Sequence, residues 1–301
     1  MQQSDRSGLL FALAGFCMLT IGDSIVKGID GAWAPTAIAA WRYGLGALGL
    51  SILLVMKQGP RALFDVPRPG VQWLRGAAVG MATIFFFAGV WLMPLTDAIA
   101  LAFTQPMFTA ILAALFLGEK LRWQTVAATL VAFVGVLIVL RPNFAEIGLA
   151  ALLPLGAALG MAILVTANRA VAGTGSALAM QAYVAIFATV ILLVAMVAGH
   201  VSGMAQLQLE WPAWHIPARV AIIAVTASTA HWLIYKGTEL AGAATVAPMT
   251  YGQLIAASLV GYVFFAEVPD LTAMLGAGLI VLAGLWLWRQ GQVRRIGKAQ
   301  G

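Results

Sequence analysis

The chain has 301 residues, of which 62% are hydrophobic and 9% are charged, and its formal net charge is +6. A soluble domain carries about 25% charged residues, so this chain has too little polar surface to cover a water-exposed globule. The composition excludes a soluble protein and predicts one that lies within a lipid bilayer.

Ten apolar stretches each come close to the roughly 20 residues that a membrane-spanning helix needs. We expect the spans at 8–28, 34–56, 72–93, 97–118, 123–140, 148–168, 177–199, 216–236, 243–266 and 271–289. Their continuity argues against the alternating pattern of a β-barrel. The triplet Ala12-Leu13-Ala14 lies inside the first stretch, so we interpret that stretch as a retained span and not as a cleaved signal peptide. These features predict an all-α integral membrane protein with short loops.

Two charged residues lie within the first two spans. Asp23 and Arg42 fall at comparable distances from the outer ends of their helices, so we hypothesise that they form an ion pair. Lys27, one turn beyond Asp23, is a competing partner. The pair could be a structural bridge, a gate, a coupling site or an anchor for the charged ends of an amino acid.

The second span also contains Gly44-Leu45-Gly46-Ala47-Leu48-Gly49, which matches the G-x-G-x-x-G pattern of dinucleotide-binding folds. That pattern needs a preceding strand, and here it lies in a transmembrane helix. We expect these glycines, like Gly156 and Gly160 in the sixth span, to permit close helix packing.

The fourth and ninth spans reveal an internal repeat. Gln105 and Gln253 are 148 positions apart, and the same offset separates Glu119 from Glu267 and Phe103 from Tyr251. A repeat of this length holds five helices, and an odd number of crossings forces the second copy to enter the membrane from the opposite face. The sequence therefore predicts two inverted five-helix repeats, at 1–145 and at 146–301 with a basic cytoplasmic tail, in one integrated membrane domain.

The loop charges predict the orientation. With the N-terminus placed in the cytoplasm, 13 basic residues lie inside and three, Lys27, Arg141 and Arg219, lie outside. This asymmetry agrees with the positive-inside rule, so we expect both termini in the cytoplasm. Contact with anionic membrane lipid accounts for the basic charge, and no nucleic-acid partner is needed.

The segment from Leu95 to Pro142 combines a small-residue helix, the exit Leu117-Gly118-Glu119-Lys120-Leu121 and a glycine-bearing apolar helix that ends in Arg141-Pro142. It resembles the EamA family of the drug/metabolite transporter superfamily, and within it most closely the YddG-type exporters of aromatic and other neutral amino acids. The second copy, Ala266-Glu267-Val268-Pro269, loses the glycine and keeps the acid. The resemblance implies ten helices in inverted halves around a central cavity, and proton-linked or facilitated export of small metabolites by alternating access.

The other polar groups within the spans are candidates for the wall of that cavity. Gln105 and Gln253 lie near mid-membrane, where an amide can bind a zwitterionic solute, although interhelical bonding is the alternative. His231 could carry a proton and couple transport to a gradient, or it could be structural. Further candidates with aromatic or amide groups are Trp41, Tyr43, Gln181, Tyr183, Tyr235 and Tyr251. We interpret Trp91, Trp286 and Trp288 as interfacial belt residues.

No catalytic or nucleotide-binding motif occurs, so we expect neither an enzyme nor an ATP-driven pump, and no cofactor. His200, His215 and Glu210 lack metal-ligand spacing, so we expect no metal site. The expected function is export of a small-molecule substrate, most readily an amino acid, across a bacterial inner membrane. Another metabolite or drug-like compound is the first alternative, and a membrane-embedded enzyme or scaffold is the second. Proton coupling and the choice between monomer and homodimer stay open.

Overall fold

We describe the protein from a computed structural model, which covers residues 3–118, 123–171, 173–241, 247–268 and 270–299. All regular secondary structure in these ranges is helical. The α-helices are α1 (Gln3–Lys27), α2 (Pro35–Gln58), α3 (Pro69–Leu92), α4 (Leu95–Ala102), α5 (Gln105–Leu117), α6 (Trp123–Ile147), α7 (Leu153–Ala170), α8 (Ala177–Val201), α9 (His215–Ala241), α10 (Gly252–Phe265) and α11 (Leu271–Ala299). Short 3₁₀ segments lie at Pro60–Leu63, Gly148–Leu152, Ala205–Leu207 and Ala247–Tyr251.

The helices confirm a ten-span membrane protein. In the described part of the chain, seven stretches are long and apolar enough to cross a bilayer, and three shorter apolar helices, Val126–Arg141, Met249–Phe265 and Leu271–Trp286, supply the other spans. Each predicted span corresponds to one of these helical stretches. The fold class predicted from composition is therefore correct.

Two predicted boundaries are wrong in detail. The fourth span is not one helix over 97–118, because α4 ends at Ala102 and α5 begins at Gln105. The fifth span does not end at Arg141-Pro142, because α6 continues to Ile147. The additional turns place Asn143 inside the protein, where it is 4% exposed. The exit residues Glu119, Lys120 and Leu121 lie outside the described residues.

Helix packing follows the two-fold symmetry that inverted repeats require. The first span α1 packs on the eighth, α9, and the equivalent pair of third and sixth spans, α3 and α7, packs in the same way. The second and seventh spans, α2 and α8, pack on each other, as do the fifth and tenth, α6 and α11. Exchanging the two halves therefore leaves these four pairings unchanged. The halves interlock, and each helix of one half finds partners in the other.

Two helices approach each other closely through their backbones where α6 crosses α11. A Cβ added at Gly135 would lie 2.6 Å from the Gly276 carbonyl oxygen, and one added at Gly276 would lie 2.6 Å from that of Gly135. Gly160 likewise has the Ala78 carbonyl oxygen 2.7 Å from an added Cβ, which supports the packing role expected of it. The expectation for the second span is wrong, because Gly46 and Gly49 have nothing within 4 Å.

The two copies end the fourth and ninth spans with the same backbone turn. Gly118 closes α5 with φ 66°, and Ala266 closes α10 with φ 53°. These residues are 148 positions apart in the sequence. A left-handed residue at this position is the common way to end a helix, and it favours glycine. The second copy adopts the same turn without the glycine.

Candidate functional site

The fourth and ninth spans both depart from regular α-helix at equivalent positions. In the first half, Phe103 and Thr104 separate α4 from α5. In the second half, the 3₁₀ segment that ends at Tyr251 leads into α10 at Gly252. Non-helical backbone at membrane depth is tolerated where it is buried in protein or lines a cavity. Paired breaks of this kind mark the substrate site in transporters built from inverted repeats.

The two breaks meet at the centre of the bundle. The rings of Phe103 and Tyr251 lie 5.3 Å apart at 88°, in an edge-to-face contact between residues that are equivalent in the repeat. Gln105 and Gln253 follow directly, as the first residue of α5 and the second residue of α10. Neither amide side chain has a recorded hydrogen-bond partner in the described part of the chain, so both are available to a solute. The Tyr251 hydroxyl oxygen lies so close to Gly284 of α11 that a Cβ at that position would overlap it. The Tyr251 ring is therefore packed against α11.

Charged residues of three helices form a second group beside α1. The charge of Arg42 on α2 acts on Asp23 of α1 and also on His231 of α9. The predicted direct ion pair is absent, because Asp23 and Arg42 do not approach within the 4.0 Å of a salt bridge. The Arg42 guanidinium instead lies 5.1 Å from the ring centre of Tyr43 and 5.7 Å from that of Phe87. The three predicted coupling residues are therefore close to one another without being locked together.

One ring nitrogen of His231 forms a hydrogen bond, and the other has no hydrogen-bond partner among the described residues. Its Nδ1 lies 2.6 Å from the Ala227 carbonyl oxygen. Because a carbonyl oxygen can only accept, the Nδ1 carries the proton and Nε2 is the acceptor of the neutral ring. Tyr235 follows on the same helix, and its side chain lies outside the described part of the structure.

The bundle is closed at the end where α1 stops and α2 begins, which we call the outer end. Lys27 Nζ lies 2.7 Å from Glu267 Oε1 and donates to the carbonyl oxygens of Val90 at 2.7 Å and Met93 at 2.8 Å. The other carboxylate oxygen of Glu267 accepts from the Leu95 N–H at 3.0 Å. These contacts tie the first, third, fourth and ninth spans together, and we call Lys27 and Glu267 the outer lock.

The sequence does not predict the outer lock, because spacing along a helix pairs Lys27 with Asp23, one turn away. A buried acid close to the lock is also absent from the residues predicted for the site. Asp97 is 6% exposed and accepts from Asn143 Nδ2 at 2.8 Å. Its position in an apolar span was a usable signal, since an intramembrane acid is a functional candidate by default.

Asn143 is the hydrogen-bond partner of Asp97, so we expect Asn143→Ala to leave a buried carboxyl group unpaired. The change should lower the free energy of unfolding by about 1–3 kcal/mol. Thermal unfolding of the purified protein in detergent measures it. Glu146→Gln, an exposed acid on the same helix, is the matched control and should change nothing. Equal midpoints for the two variants would show that the Asp97–Asn143 bond contributes no net stability.

The opposite end of the bundle, which we call the inner end, is held by polar side-chain contacts of Arg75 and Tyr183. Arg75 of α3 is 3% exposed, and its Nε donates to Asn168 Oδ1 of α7 at 2.6 Å. It also contacts the side-chain oxygen of Gln72. Tyr183 lies here, because its hydroxyl group lies 2.5 Å from the Ala62 carbonyl oxygen and 2.8 Å from the Asp65 carbonyl oxygen.

Several predicted cavity residues lie away from the central breaks. Tyr183 is part of the inner end, and Gln181 is exposed on α8. Trp41 belongs to an aromatic cluster at the outer end. Trp91 is not a free belt residue, because its Nε1 donates to the Val26 carbonyl oxygen at 2.7 Å.

The comparison with family models decides which family the chain represents. The EamA-like transporter family matches residues 6–141 and, a second time, residues 148–289. The chain belongs to the EamA-like transporter family. A crystal structure that covers 98% of this transporter and 99% of its own chain, at 18% identity, superposes with a TM-score of 0.60 and shows the same fold.

Relatives of this EamA-like transporter carry several substrates. It is 26% identical to an S-adenosylmethionine uptake transporter of Rickettsia prowazekii, over 93% of this chain and 92% of the relative. It is 29% identical to a riboflavin transporter of Vibrio cholerae, over 96% and 95%. It is 26% identical to the pseudopaline exporter CntI of Pseudomonas aeruginosa, over 94% and 96%. These relatives support a transporter of small molecules, and none of the three is named as an exporter of free amino acids.

Proposed function

We propose that this EamA-like transporter moves a small metabolite with an amino-acid end and a planar ring across the membrane by alternating access. The observation that carries the proposal is the pair of helix breaks that meet at Phe103 and Tyr251. Each break is followed by a glutamine whose amide is available to a solute. An aromatic surface beside polar amides suits a solute that is flat at one end and polar at the other.

The charged group beside α1 supplies the matching electrostatics. Asp23 can receive an ammonium group and Arg42 a carboxylate, since the two do not form a salt bridge with each other. S-adenosylmethionine, carried by one of the relatives, combines an amino-acid end with an adenine ring. Export of free aromatic or neutral amino acids, the expectation from the sequence, is the second candidate, and the same groups favour it.

We infer that both termini face the cytoplasm of a bacterial cell, as the loop charges predict, so the outer lock closes the external face. Opening that face requires Lys27 to leave Glu267 and two backbone carbonyl groups. The relatives include an uptake transporter and an exporter, so the fold serves either direction. The gradient of the substrate or of protons then sets the direction of flux. Asp23 and His231 are the groups through which a proton gradient would act.

Flux into proteoliposomes tests the proposal. We expect uptake of labelled S-adenosylmethionine or phenylalanine that saturates with concentration. Asp23→Asn should lower the flux at least about tenfold, because a hydrogen-bonded ion contributes about 1.5–3 kcal/mol. Asp65→Asn, an exposed acid outside the spans, is the control and should transport at the wild-type rate. An imposed pH gradient separates coupled from facilitated flux.

Two results would contradict the proposal. No flux of any amino acid or amino-acid-bearing metabolite would exclude the substrate class. Transport by Asp23→Asn at the wild-type rate, with normal expression, would remove Asp23 from the mechanism. Comparing the flux of Gln253→Ala with that of Gln181→Ala gives an independent test. The amide of Gln253 lies at the break of the ninth span, whereas Gln181 is exposed on α8.

A further inference from the structure

Three tryptophan rings from separate parts of the chain meet at the outer end. Trp33 precedes α2, Trp41 lies in the second turn of α2, and Trp211 lies between α8 and α9. The ring centres are 6.2, 5.7 and 5.7 Å apart, and the ring planes are inclined by 62°, 73° and 84°. The three ring planes are therefore steeply inclined to one another, and we call Trp33, Trp41 and Trp211 the tryptophan corner.

The tryptophan corner contains a buried donor without an acceptor. Trp33 is 4% exposed, and its Nε1–H has no hydrogen-bond partner among the described residues. Buried donors are paired in the great majority of cases, because an unpaired one loses its bond to water without replacement. Trp211, by contrast, is 70% exposed, and its ring packs edge-on against that of Trp33. A ligand that binds on the exposed side and shifts the Trp211 ring can supply the missing acceptor.

The geometry suits a cation. An aromatic face attracts a positive charge within roughly 6 Å of its centre, and a point above the middle of the three ring centres lies within that distance of each ring. Tryptophan attracts a cation more strongly than the other aromatic residues do. The ring faces offer no acceptor for an N–H group. A cation whose charge is surrounded by alkyl groups, such as a sulfonium or a quaternary ammonium, therefore fits better than a primary ammonium.

Two exposed acids lie close in sequence to the tryptophan corner, and Arg42 directly follows Trp41. Glu210 directly precedes Trp211, and Asp30 lies three residues before Trp33. Both acids are exposed. They would raise the local concentration of a positively charged solute at the outer end.

The neighbouring cations of the chain are engaged elsewhere. The Arg42 guanidinium lies over the rings of Tyr43 and Phe87. Arg219 donates to the Gly28 carbonyl oxygen at 3.2 Å. Among the described residues, neither cation lies over a ring of the corner.

We propose that the tryptophan corner binds a small alkylated cation that carries an oxygen acceptor a few bonds from its charge. This inference rests on the proposed function and deepens it, because it gives the transported metabolite a cationic centre and a first contact at the outer end. Two sources share this chemistry. One is a soluble metabolite such as a sulfonium compound, and the other is the choline headgroup of a phospholipid.

Binding of choline to the purified full-length protein in detergent, followed by saturation-transfer NMR, tests the proposal. The neutral analogue 3,3-dimethylbutan-1-ol has the same shape and hydroxyl group and lacks the charge. We expect choline to bind at least about threefold more tightly than the analogue. Trp211→Leu should weaken choline binding by a similar factor and leave the binding of the analogue unchanged. Trp211→Phe, which keeps an aromatic face, should fall between the two.

Trp214→Leu is the matched control. Trp214 lies in the same segment, is 81% exposed and has its recorded ring contact with His215, not with the corner. We expect it to bind choline like the wild-type protein. Equal binding of choline and the neutral analogue would overturn the proposal, and so would an equal loss in Trp211→Leu and Trp214→Leu.

Nanodiscs of two compositions distinguish the sources. If a lipid headgroup occupies the tryptophan corner, added choline binds more weakly in phosphatidylcholine discs than in phosphatidylglycerol discs. Equal binding in both assigns the site to a soluble metabolite. The test is separate from that of the proposed function, since choline binding requires no transport. If the protein showed no flux but still bound choline more tightly than the neutral analogue, the transported substrate class would be rejected and the cation site would be kept.

Discussion

Gly276→Leu is expected to prevent the chain from forming a stable bundle. The glycine lies where α6 and α11 cross, and any Cβ at this position would meet the Gly135 carbonyl oxygen at 2.6 Å. The obstacle is backbone, so a change of side-chain rotamer cannot relieve it and the helices have to separate. Overpacking costs about 1–3 kcal/mol where side chains can adjust, and we expect at least the upper value here.

Gly278→Leu is the control for this experiment, because Gly278 lies on the same helix with nothing within 4 Å. We expect it to give wild-type yield and a wild-type unfolding temperature. Size-exclusion profiles of detergent extracts, followed by thermal unfolding, compare the two variants. If Gly276→Leu purified as a monodisperse protein with an unchanged midpoint, the close crossing of α6 and α11 would be wrong.

Glu267→Gln is expected to destabilise the protein by about 3 kcal/mol, because it removes the counterion of Lys27. The Lys27 side chain is 12% exposed, and its ammonium group would keep only neutral partners: two backbone carbonyl oxygens, the new amide oxygen and the Phe265 ring. Combining Glu267→Gln with Lys27→Met should recover most of the loss, since replacing a buried pair by neutral groups is often without net cost. Thermal unfolding of the single and double variants measures the difference.

Asp30→Asn is the matched control for the outer lock. It removes an exposed carboxylate from the same end of the bundle, at a left-handed position that asparagine also adopts. We expect no change in its unfolding midpoint. A double variant that is less stable than Glu267→Gln would show that Lys27 stabilises the fold through the backbone carbonyl groups alone.

The sequence was sufficient for the architecture and for the equivalence of two residues that meet in the candidate site. The 148-residue offset identified Phe103 and Tyr251 as equivalent, and their rings meet in the structure. Counting residues along the first two spans placed Asp23 near Arg42, although not within salt-bridge distance. Depth in a membrane follows from helix rise and can be counted along the sequence.

The rotation of each helix about its own axis was the main feature that the sequence did not predict. A span that is apolar on every side does not reveal which face points to lipid and which to the protein. For this reason Gln181 and Tyr183 were both assigned to a cavity, while one is exposed on α8 and the other binds the inner loop. The same ambiguity led to the wrong expectation for Gly46 and Gly49.

Long-range partners were the second obstacle. Lys27 pairs with Glu267 across most of the chain, whereas spacing rules suggest only neighbours such as Asp23. The tryptophan corner likewise joins α2 to the distant segment before α9. Such contacts follow from the interlocked packing and not from local sequence.

That interlocked packing also sets the order in which the protein can mature. Helix α1 has its principal partner in α9, which is made almost 190 residues later. The early helices therefore lie in the bilayer as separate spans until the late helices are inserted. Each is stable on its own, because its backbone hydrogen bonds are formed within the helix. Lys27 spends that interval without its final partner Glu267. Maturation of this protein is consequently an assembly of finished helices that starts late in its synthesis, and not a stepwise folding of one half before the other.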